Sequence, residues 1–248
     1  MTRYHGGKFY SGKELSKIIY DVSLDIEDKY EFNLKGYCEP FCGMLGVYRN
    51  IPKLFEEKQM IYKAGDINKS VVMMWKQAQN GWKPPIRVSE DEYIRLKKKK
   101  GDSALKGYVG HQYGFNGMYF SSYTGNKGDD PTLSIRAPKA VVDIAKNLKE
   151  VDFTYGIYNQ FSSLKGFIIY CDPPYDNTLQ RYKGLEKESF DSDAFWKWCR
   201  KMAKYNIVFV SEYSGPSDIK VIFSKRHELN GGIHTKREIK NENLYLLF

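Results

Sequence analysis

Apolar and polar positions along the chain follow two periods, one typical of amphipathic helices and one typical of buried strands. Apolar residues at positions 15, 18, 19, 22 and 26 predict a helix over residues 13–29. Short apolar segments at 36–41 and 60–64 predict strands that lead into glycine-containing turns. The segment 68–78 has helical spacing, and Gly81 with the prolines after it ends this predicted helix.

The composition changes in the middle of the chain. Ser89 and the acidic residues after it form a capping box for a helix that runs into the lysines at 97–100. Residues 101–134 are rich in glycine, proline and aromatic residues and show weak periodicity, which favours an inserted surface module. A helix is predicted over 138–148 and a strand near 151–155.

The C-terminal part again alternates strands and helices. The run Gly-Phe-Ile-Ile-Tyr-Cys at 166–171 is apolar throughout, as expected of a central parallel strand that is buried on both faces. Asp191 is a suitable N-cap for a helix over 192–204, and 207–210 and 243–248 are predicted strands. Strands that alternate with helices predict an α/β sheet.

The size and charge of the chain narrow the class of protein. Its 248 residues suit one domain, or one domain with an insertion. The net charge of +9 and the 15% of aromatic residues make nucleic acid a plausible partner, through phosphate contacts and base stacking. No apolar stretch approaches the roughly 18 residues of a membrane span, so none is expected.

The cysteine and histidine pattern argues against a metal centre. Cys38, Cys42, Cys171 and Cys199 form no Cys-x-x-Cys pair, and the 4 histidines are scattered. Buried free thiols in a reducing compartment are therefore expected, with a zinc site or a disulfide framework as the alternative.

The sharpest chemical signal comes directly after the apolar run, where the chain reads Asp172, Pro173, Pro174 and Tyr175. In an open α/β sheet, ligands bind beyond the carboxyl ends of the strands. The prolines stiffen the backbone and remove two N–H donors, which leaves carbonyl groups to accept hydrogen bonds. Asp172 and the Pro173 carbonyl would accept from the amino group of a flat ring, on which Tyr175 would stack. The alternative is a proline-rich turn with a surface aspartate.

Four segments together resemble one known family. Residues 4–8 read Tyr-His-Gly-Gly-Lys, 39–46 read Glu-Pro-Phe-Cys-Gly-Met-Leu-Gly, 65–68 read Gly-Asp-Ile-Asn, and 172–175 read Asp-Pro-Pro-Tyr. These motifs and their order are similar to those of the Dam-type (alpha-group) adenine-N6-specific DNA methyltransferases, and 211–213 and 242–244 also resemble segments near the C-terminus of that family. The resemblance implies an α/β, Rossmann-like S-adenosylmethionine-dependent methyltransferase sheet with an inserted target-recognition domain.

The resemblance also assigns roles to residues. It implies S-adenosyl-L-methionine as the cofactor, with these cofactor-binding residues: Tyr4, Gly7, Lys8, Glu39, Phe41, Gly43, Gly46, Asp66 and Asp172. It implies that these residues are catalytic: Asp172, Pro173, Pro174 and Tyr175. Lys8 would face the cofactor carboxylate, the two loop glycines would let the backbone approach the methionine part, and Asp66 would accept from ribose hydroxyls.

Two features depart from the family pattern. Gly46 comes one position later than the usual second glycine, since Met44 and Leu45 precede it. Ile157 precedes Tyr158 where the family has an Asp-Tyr pair. A polar contact near the cofactor adenine is therefore expected to be missing or replaced, and the geometry of the glycine loop is expected to differ.

The DNA-facing part is expected between the cofactor segments and the Asp-Pro-Pro-Tyr motif. We predict a target-recognition insertion at 82–135 and a catalytic domain formed by 1–81 and 136–248. The predicted DNA contacts are Lys97, Lys98, Lys99, Lys100, Phe115, Asn116, Tyr119 and Tyr123. The lysines would meet phosphates, the rings would stack on bases, and Asn116 would bond a base edge. The alternatives are a solvated helix end and a small hydrophobic core for the insertion.

The expected reaction is methyl transfer to adenine N6 in duplex DNA after base flipping. Asp172 favours adenine, whereas cytosine-N4 enzymes more often have Ser and RNA methylases more often have Asn there. A non-catalytic DNA-binding relative is the alternative from another class. No arginine lies between Arg95 and Arg136, so no recognition sequence is predicted. We expect a metal-free monomer in the cytoplasm or in the DNA-containing compartment of a host cell, and restriction, repair marking and viral self-protection remain open.

The lysine run allows a first test. Changing the four lysines at 97–100 to serine is expected to weaken binding to all DNA sequences, because phosphate contacts carry no sequence information. The salt dependence of the dissociation constant should become flatter, by a slope of about 0.9 per lost phosphate contact. Fluorescence anisotropy at several salt concentrations measures this slope, and an unchanged slope would mean that the run faces only solvent.

Overall fold

The structure, a computed structural model, describes residues 2–125, 131–148, 150–174, 190–229 and 238–248. Its helices are α1 (Gly12–Tyr30), α2 (Ile51–Leu54), α3 (Lys69–Gln79), α4 (Glu90–Lys98), α5 (Ala104–Gln112), α6 (Pro131–Ala145) and α7 (Ser192–Ala203). Its strands are β1 (Gly36–Glu39), β2 (Ile61–Asp66), β3 (Val151–Tyr155), β4 (Phe167–Cys171), β5 (Ile207–Glu212), β6 (Lys220–Leu229) and β7 (Glu238–Leu247). Short 3₁₀ turns lie at Tyr48–Asn50, Phe115–Gly117 and Tyr158–Phe161.

The described strands form one sheet in the order β3-β2-β1-β4-β5-β7-β6. Neighbours from β3 to β5 run parallel, whereas β7 is antiparallel to both β5 and β6. The chain builds outward from β1 to β3 and then returns to β4 on the other side of β1. Ligands bind at the carboxyl ends of strands where the order reverses, so β1 and β4 border the expected binding crevice. The predicted α/β fold is confirmed.

Most predicted elements are present, and most of their ends differ by a few residues, but α6 begins at Pro131 instead of at the predicted residue 138. Side chains define several of these ends. The Asn68 side chain accepts from the backbone N–H groups of Ser70 and Val71 at the start of α3. Asp191 accepts from the Ala194 N–H at the start of α7, as predicted. Such caps satisfy N–H groups that have no partner within the helix, and their residue types are visible in the sequence.

The expectation of a surface module over 101–134 is wrong for α5, because nearly every residue of this helix is buried. A Cβ at Gly107 would lie 2.2 Å from the carbonyl oxygen of Ser70, so this glycine lets α5 approach α3 at backbone distance. Gly107, which weakens the helical pattern of the sequence, is thus a position where α5 contacts the backbone of α3. The division into a recognition insertion and a catalytic domain stays a prediction.

The sheet is larger than predicted at its antiparallel end. β6 and the first half of β7 are absent from the expected elements, since 220–229 mixes charged residues with apolar ones. β6 is the outer strand of the sheet, where polar side chains are tolerated on both faces. The periodicity of an edge strand is therefore weaker than that of the buried strands β4 and β5.

The N-terminus of α1 lies directly against the glycine loop that follows β1. A Cβ at Gly12 would lie 2.0 Å from the carbonyl oxygen of Gly46. A Cβ at Gly46 would in turn lie 2.9 Å from the backbone carbonyl carbon of Lys8. Lys8, the loop and α1 are therefore in backbone contact, and neither glycine position has room for a side chain.

Gly12→Ala is expected to destabilise the protein, although alanine is the better helix former. The added methyl group must push the glycine loop away from α1, at a cost of about 1–3 kcal/mol. Lys13→Ala, on the exposed side of the same helix, should change the free energy of unfolding by less than about 0.5 kcal/mol. Urea denaturation measures both, and equal stabilities would contradict the close contact.

Candidate active site

Three acidic side chains mark the carboxyl ends of neighbouring parallel strands. Glu39 is the last residue of β1, Asp66 is the last residue of β2, and Asp172 directly follows β4. Glu39 and Asp66 are buried, with 3% and 5% of their surface exposed. The structure thus brings together the three acids that the sequence motifs assign to the site.

Lys8 reaches this edge of the sheet from the N-terminal segment. Its Nζ lies 2.6 Å from Asp172 Oδ1, 3.1 Å from Glu242 Oε1 and 3.1 Å from the carbonyl oxygen of Gly6. Burial lowers the pKa of the Lys8 ammonium, but the charges of Asp172 and Glu242 outweigh burial and hold this pKa above its usual range. Lys8 is therefore a permanent cation between two carboxylates. Its contact with the cofactor carboxylate stays a prediction, and sequence reasoning assigned no role to Glu242.

The Asp66 carboxylate holds the glycine loop. Its Oδ2 accepts from the Gly43 N–H at 2.9 Å, and its Oδ1 accepts from the Asn68 N–H at 2.7 Å. Burial raises the pKa of Asp66 to about 6, although both hydrogen bonds act in the opposite direction. The Trp75 indole donates to the Gly43 carbonyl oxygen at 2.8 Å. Both polar groups of the Gly43 backbone are thus bonded to the protein, which orders the start of the loop.

The backbone conformation of the glycine loop accommodates its additional residue. Gly43 has a φ of +43°, and a Cβ there would lie 2.8 Å from the Tyr4 ring. Leu45 has a φ of +56°, and its N–H donates to the Cys42 carbonyl oxygen at 2.7 Å. A leucine in this left-handed region is uncommon, but its side chain is fully buried here and stabilises the turn. Gly46 can therefore come one position later and still pack on the N-terminal segment.

Glu39 is the most buried of the three acids. Its Oε1 accepts from the Tyr37 hydroxyl at 2.7 Å. Burial, together with the charge of Asp172, raises the pKa of the Glu39 carboxyl to about 8, although hydrogen bonds from Tyr37 and from the Tyr48 backbone act in the opposite direction. The carboxyl is therefore mostly protonated at neutral pH. It supplies hydrogen-bonding atoms to the site without a further negative charge.

Phe41 belongs to an aromatic cluster beside the glycine loop. Its ring centroid lies 5.7 Å from that of Tyr158, 5.6 Å from that of Phe195 and 6.1 Å from that of Phe190. Ile157 is 49% exposed and adds no polar group at the place of the family's aspartate. The sequence analysis did not assign Phe190 and Phe195 to the site. The concentration of aromatic residues near the start of α7 is the signal that could have indicated them.

The N-terminal segment is tied to the residues at the end of α5. The Gln112 side chain accepts from the Arg3 N–H at 2.8 Å and donates to the Arg3 carbonyl oxygen at 2.9 Å. The rings of Tyr4 and His111 lie 4.6 Å apart. Burial lowers the pKa of His111 to about 4, so this imidazole is neutral. The predicted cofactor segment is thus joined to the predicted recognition segment by two side chains that sequence reasoning left without a role.

The predicted DNA contacts divide into exposed and packed side chains. The lysines at 97–100 and Asn116 are exposed, and Phe115 is 49% exposed. Tyr119 and Tyr123 are half-buried and pack against neighbouring aromatic rings. Contact with DNA stays a prediction for all of them, and the exposed group is the better placed for it.

The remaining predicted catalytic residues follow Asp172. Pro173 is buried and Pro174 is half-buried, whereas Tyr175 lies outside the described residues. Across the described ranges, no three His, Cys, Asp or Glu side chains form a possible metal site. The cysteines are buried free thiols, as predicted. None of the described helices is long and apolar enough to cross a membrane.

This architecture defines a class of protein. A mostly parallel sheet with one reversed strand, a glycine loop after β1 and acids at the ends of β2 and β4 indicate an S-adenosylmethionine-dependent methyltransferase. The chain belongs to the D12 class N6 adenine-specific DNA methyltransferase family, whose model matches residues 4–232. It is an adenine-specific DNA methyltransferase with S-adenosylmethionine as the methyl donor, and the predicted Dam-type family is confirmed.

Two solved structures illustrate more distant similarity. The rRNA methyltransferase aviRa from Streptomyces viridochromogenes has 9% identity and a TM-score of 0.41, with 95% of this chain and 84% of that chain covered. A putative RNA methyltransferase from Pyrococcus horikoshii has 10% identity and a TM-score of 0.41, with 95% of this chain and 82% of that chain covered. Neither similarity bears on the substrate.

Glu39→Gln is expected to remove a pH-dependent loss of stability. The pKa of Glu39 rises from 4.5 to about 8 on burial, so folding favours the protonated carboxyl. Wild-type stability should therefore fall as the pH rises from 4.5 to about 8. The side chain of Glu39→Gln cannot ionise, and its amide oxygen still accepts from the Tyr37 hydroxyl.

Thermal denaturation from about pH 5 to about pH 9 measures this difference. The difference between the melting temperature of Glu39→Gln and that of the wild type should increase as the pH rises. Glu14→Gln removes an exposed carboxylate of α1 and serves as the control. If the melting temperatures of wild type and Glu39→Gln depend on pH in the same way, Glu39 ionises equally in the folded and in the unfolded protein, which would contradict the prediction.

Proposed function

We propose that this enzyme methylates N6 of an adenine that is flipped out of duplex DNA, and that Asp172 receives the amino group. The observation that carries this proposal is the setting of Asp172. It follows the fully buried strand β4, and Lys8 holds its carboxylate at 2.6 Å. A carboxylate that is held in place at the end of a central strand can accept hydrogen bonds from a ligand. This placement favours a binding role for Asp172 over the alternative of a surface aspartate in a proline-rich turn.

The donor and acceptor groups around the glycine loop fit S-adenosylmethionine, which supplies an electrophilic methyl group on a sulfonium sulfur when bound. Asp66 would bind the ribose hydroxyls, since each carboxylate oxygen can accept more than one hydrogen bond. The Phe41 cluster offers a flat apolar surface to the adenine ring. The Tyr4 ring lies against Gly43, and Gly46 packs on the backbone of Lys8. Tyr4 would offer an aromatic face near the adenosyl end of the cofactor, and the two glycines would border its methionine part.

The chemical task of the site is to activate an amino group whose lone pair is delocalised into the ring. Asp172 and the Pro173 carbonyl would each accept one N–H and so direct the lone pair at the methyl group. The N–C bond forms as the C–S bond breaks, the electron pair stays on sulfur, and one amino proton then leaves to solvent. The rate enhancement would come mainly from proximity and orientation.

The base has to leave the stack to reach Asp172, at a cost of a few kcal/mol. Stacking on Tyr175 and the two hydrogen bonds to the amino group would offset this cost. Phe115 and Asn116 would meet the bases, because an amide matches the donor and acceptor of adenine. The exposed lysines at 97–100 would hold the phosphates.

Several finer expectations remain predictions. They include the recognition insertion at 82–135, a monomeric state and a cytoplasmic location. The family membership favours an enzyme over a non-catalytic DNA-binding relative. Methylation of cytosine N4 or of RNA would be separate outcomes of the experiment below.

The decisive experiment is modified-base sequencing of plasmid DNA after incubation with the purified protein and S-adenosylmethionine. Wild type should leave N6-methyladenine at one short sequence, which would also identify the recognition site. Asp172→Ala should leave no detectable modification while it keeps most DNA affinity, because the phosphate contacts lie elsewhere. Asp152→Ala, which removes an exposed carboxylate paired with Lys63, is the matched control.

Retained turnover of Asp172→Ala would remove Asp172 from the mechanism. Modified cytosine in place of adenine would contradict the proposed substrate. Unmodified DNA together with methylated RNA in a parallel incubation with RNA would move the activity to a different nucleic acid.

A further inference from the structure

Glu242 lies on β7, the strand that runs against its neighbours. β7 pairs with β5 in a register that places Asn243 opposite Glu212, the last residue of β5. Glu242 therefore stands just beyond the carboxyl end of β5. Because β7 is antiparallel, its middle reaches the edge where β4 and β5 end, and a side chain from the last strand enters the site beside Asp172.

The contacts of Lys8 show what Glu242 does there. An ammonium has three N–H donors, and acceptors for three lie close to Lys8 Nζ: Asp172 Oδ1 at 2.6 Å, Glu242 Oε1 at 3.1 Å and the Gly6 carbonyl oxygen at 3.1 Å. The side chains of Lys8, Glu242 and Asp172 are only 6%, 11% and 19% exposed. The charges are thus largely shielded from water, and their mutual effects are strong.

The balance of charge matters for an amino group that has to be bound and methylated. A lysine paired with Asp172 alone would neutralise this carboxylate and weaken it as an acceptor. When the same ammonium pairs with both Asp172 and Glu242, the three side chains together carry a net charge of −1. Positive charge develops on the amino nitrogen during methyl transfer, and a fixed negative group beside it stabilises that change.

The neighbouring hydroxyl groups respond to the same charges. Burial raises the pKa of the Tyr213 hydroxyl, and the charge of Glu242 raises it further. Burial also raises the pKa of Tyr170, to which the charges of Asp172 and Glu242 add. Glu242 therefore contributes to the potential at the end of β4 and does not only compensate Lys8.

We propose that Glu242 is a positioning residue for methyl transfer, which shares the Lys8 ammonium with Asp172. It thereby keeps the Asp172 carboxylate oriented toward the target amino group and leaves the three side chains with a net negative charge. This inference rests on the role proposed above for Asp172. Lys8 has a flexible side chain, and the second carboxylate restricts where its ammonium lies. Glu242 itself touches neither substrate nor cofactor in this assignment.

The test compares Glu242→Ala, Glu242→Gln and the control Glu14→Ala in the full chain. Glu14 forms an exposed ion pair with Lys225. Single-turnover rates at saturating S-adenosylmethionine and DNA give the chemical step, and titrations give KM for the cofactor and Kd for DNA. Melting temperatures report folding.

Glu242→Ala should lower the single-turnover rate about 100-fold, as expected for a misplaced reacting group, with KM and Kd within about threefold of wild type. Glu242→Gln should recover part of this loss, because its amide oxygen still accepts from Lys8 but carries no charge. The rate of Glu14→Ala should equal that of wild type. A residue that only stabilises the fold would lower the melting temperature and leave the rate of the folded protein unchanged.

Two results would overturn the inference. One is a rate of Glu242→Ala within twofold of wild type, and the other is a loss that disappears when the cofactor concentration is raised. If Glu242→Ala fails to fold, Glu242→Gln decides the question. A melting temperature and a single-turnover rate of Glu242→Gln that both equal those of the wild type would also overturn the inference. Failure of the proposed function would look different, because the wild type itself would then leave adenine unmodified.

Discussion

The largely buried ion pair between Lys8 and Asp172 is the contact on which the arrangement of the site depends. It joins the N-terminal segment to the tip of a central strand across 164 positions of sequence. A charge that is removed from water destabilises the fold unless its partner is in place. The pair therefore holds the N-terminal segment over the sheet edge. Since the backbone of Lys8 also packs on Gly46, the same contact sets where the glycine loop and the start of α1 lie.

Burial concentrates the charge of the site on a few groups. Glu39 has a pKa of about 8 and His111 a pKa of about 4, so both are largely neutral near pH 7. Lys8 stays charged because two carboxylates surround it. Lys8, Asp172 and Glu242 therefore bring charge to the end of β4, whereas the largely protonated Glu39 adds little. A site of this kind can bind an amino group through one defined carboxylate.

Close backbone contacts join the parts of the molecule that the chemistry needs together. Gly46 lets the glycine loop contact the N-terminal segment, and Gly107 lets α5 contact α3. Gln112 at the end of α5 then binds the backbone of Arg3. The segment that carries Lys8 is consequently held from both sides, by the glycine loop and by the predicted recognition segment.

The sequence shows most of what is local. The buried run before Asp172, the cap at Asp191 and the four motifs depend on neighbouring residues, and they were sufficient to predict the fold class and the family. Gly107 illustrates the limit. Its helix reads as irregular because glycine lowers helix propensity, while its reason for being glycine is the distant carbonyl group of Ser70.

Other features were decided only when the chain folded. Glu242 enters the site because β7 runs antiparallel in one register, and a shift of one residue would turn its side chain to the other face of the sheet. The aromatic cluster at Phe41 likewise forms between residues of separate elements. Strand direction, register and the burial that shifts pKa values all arise from contacts between distant segments, and no local pattern encodes them. The identity of the chemical groups is therefore a property of the sequence, whereas their distances and charge states belong to the tertiary structure.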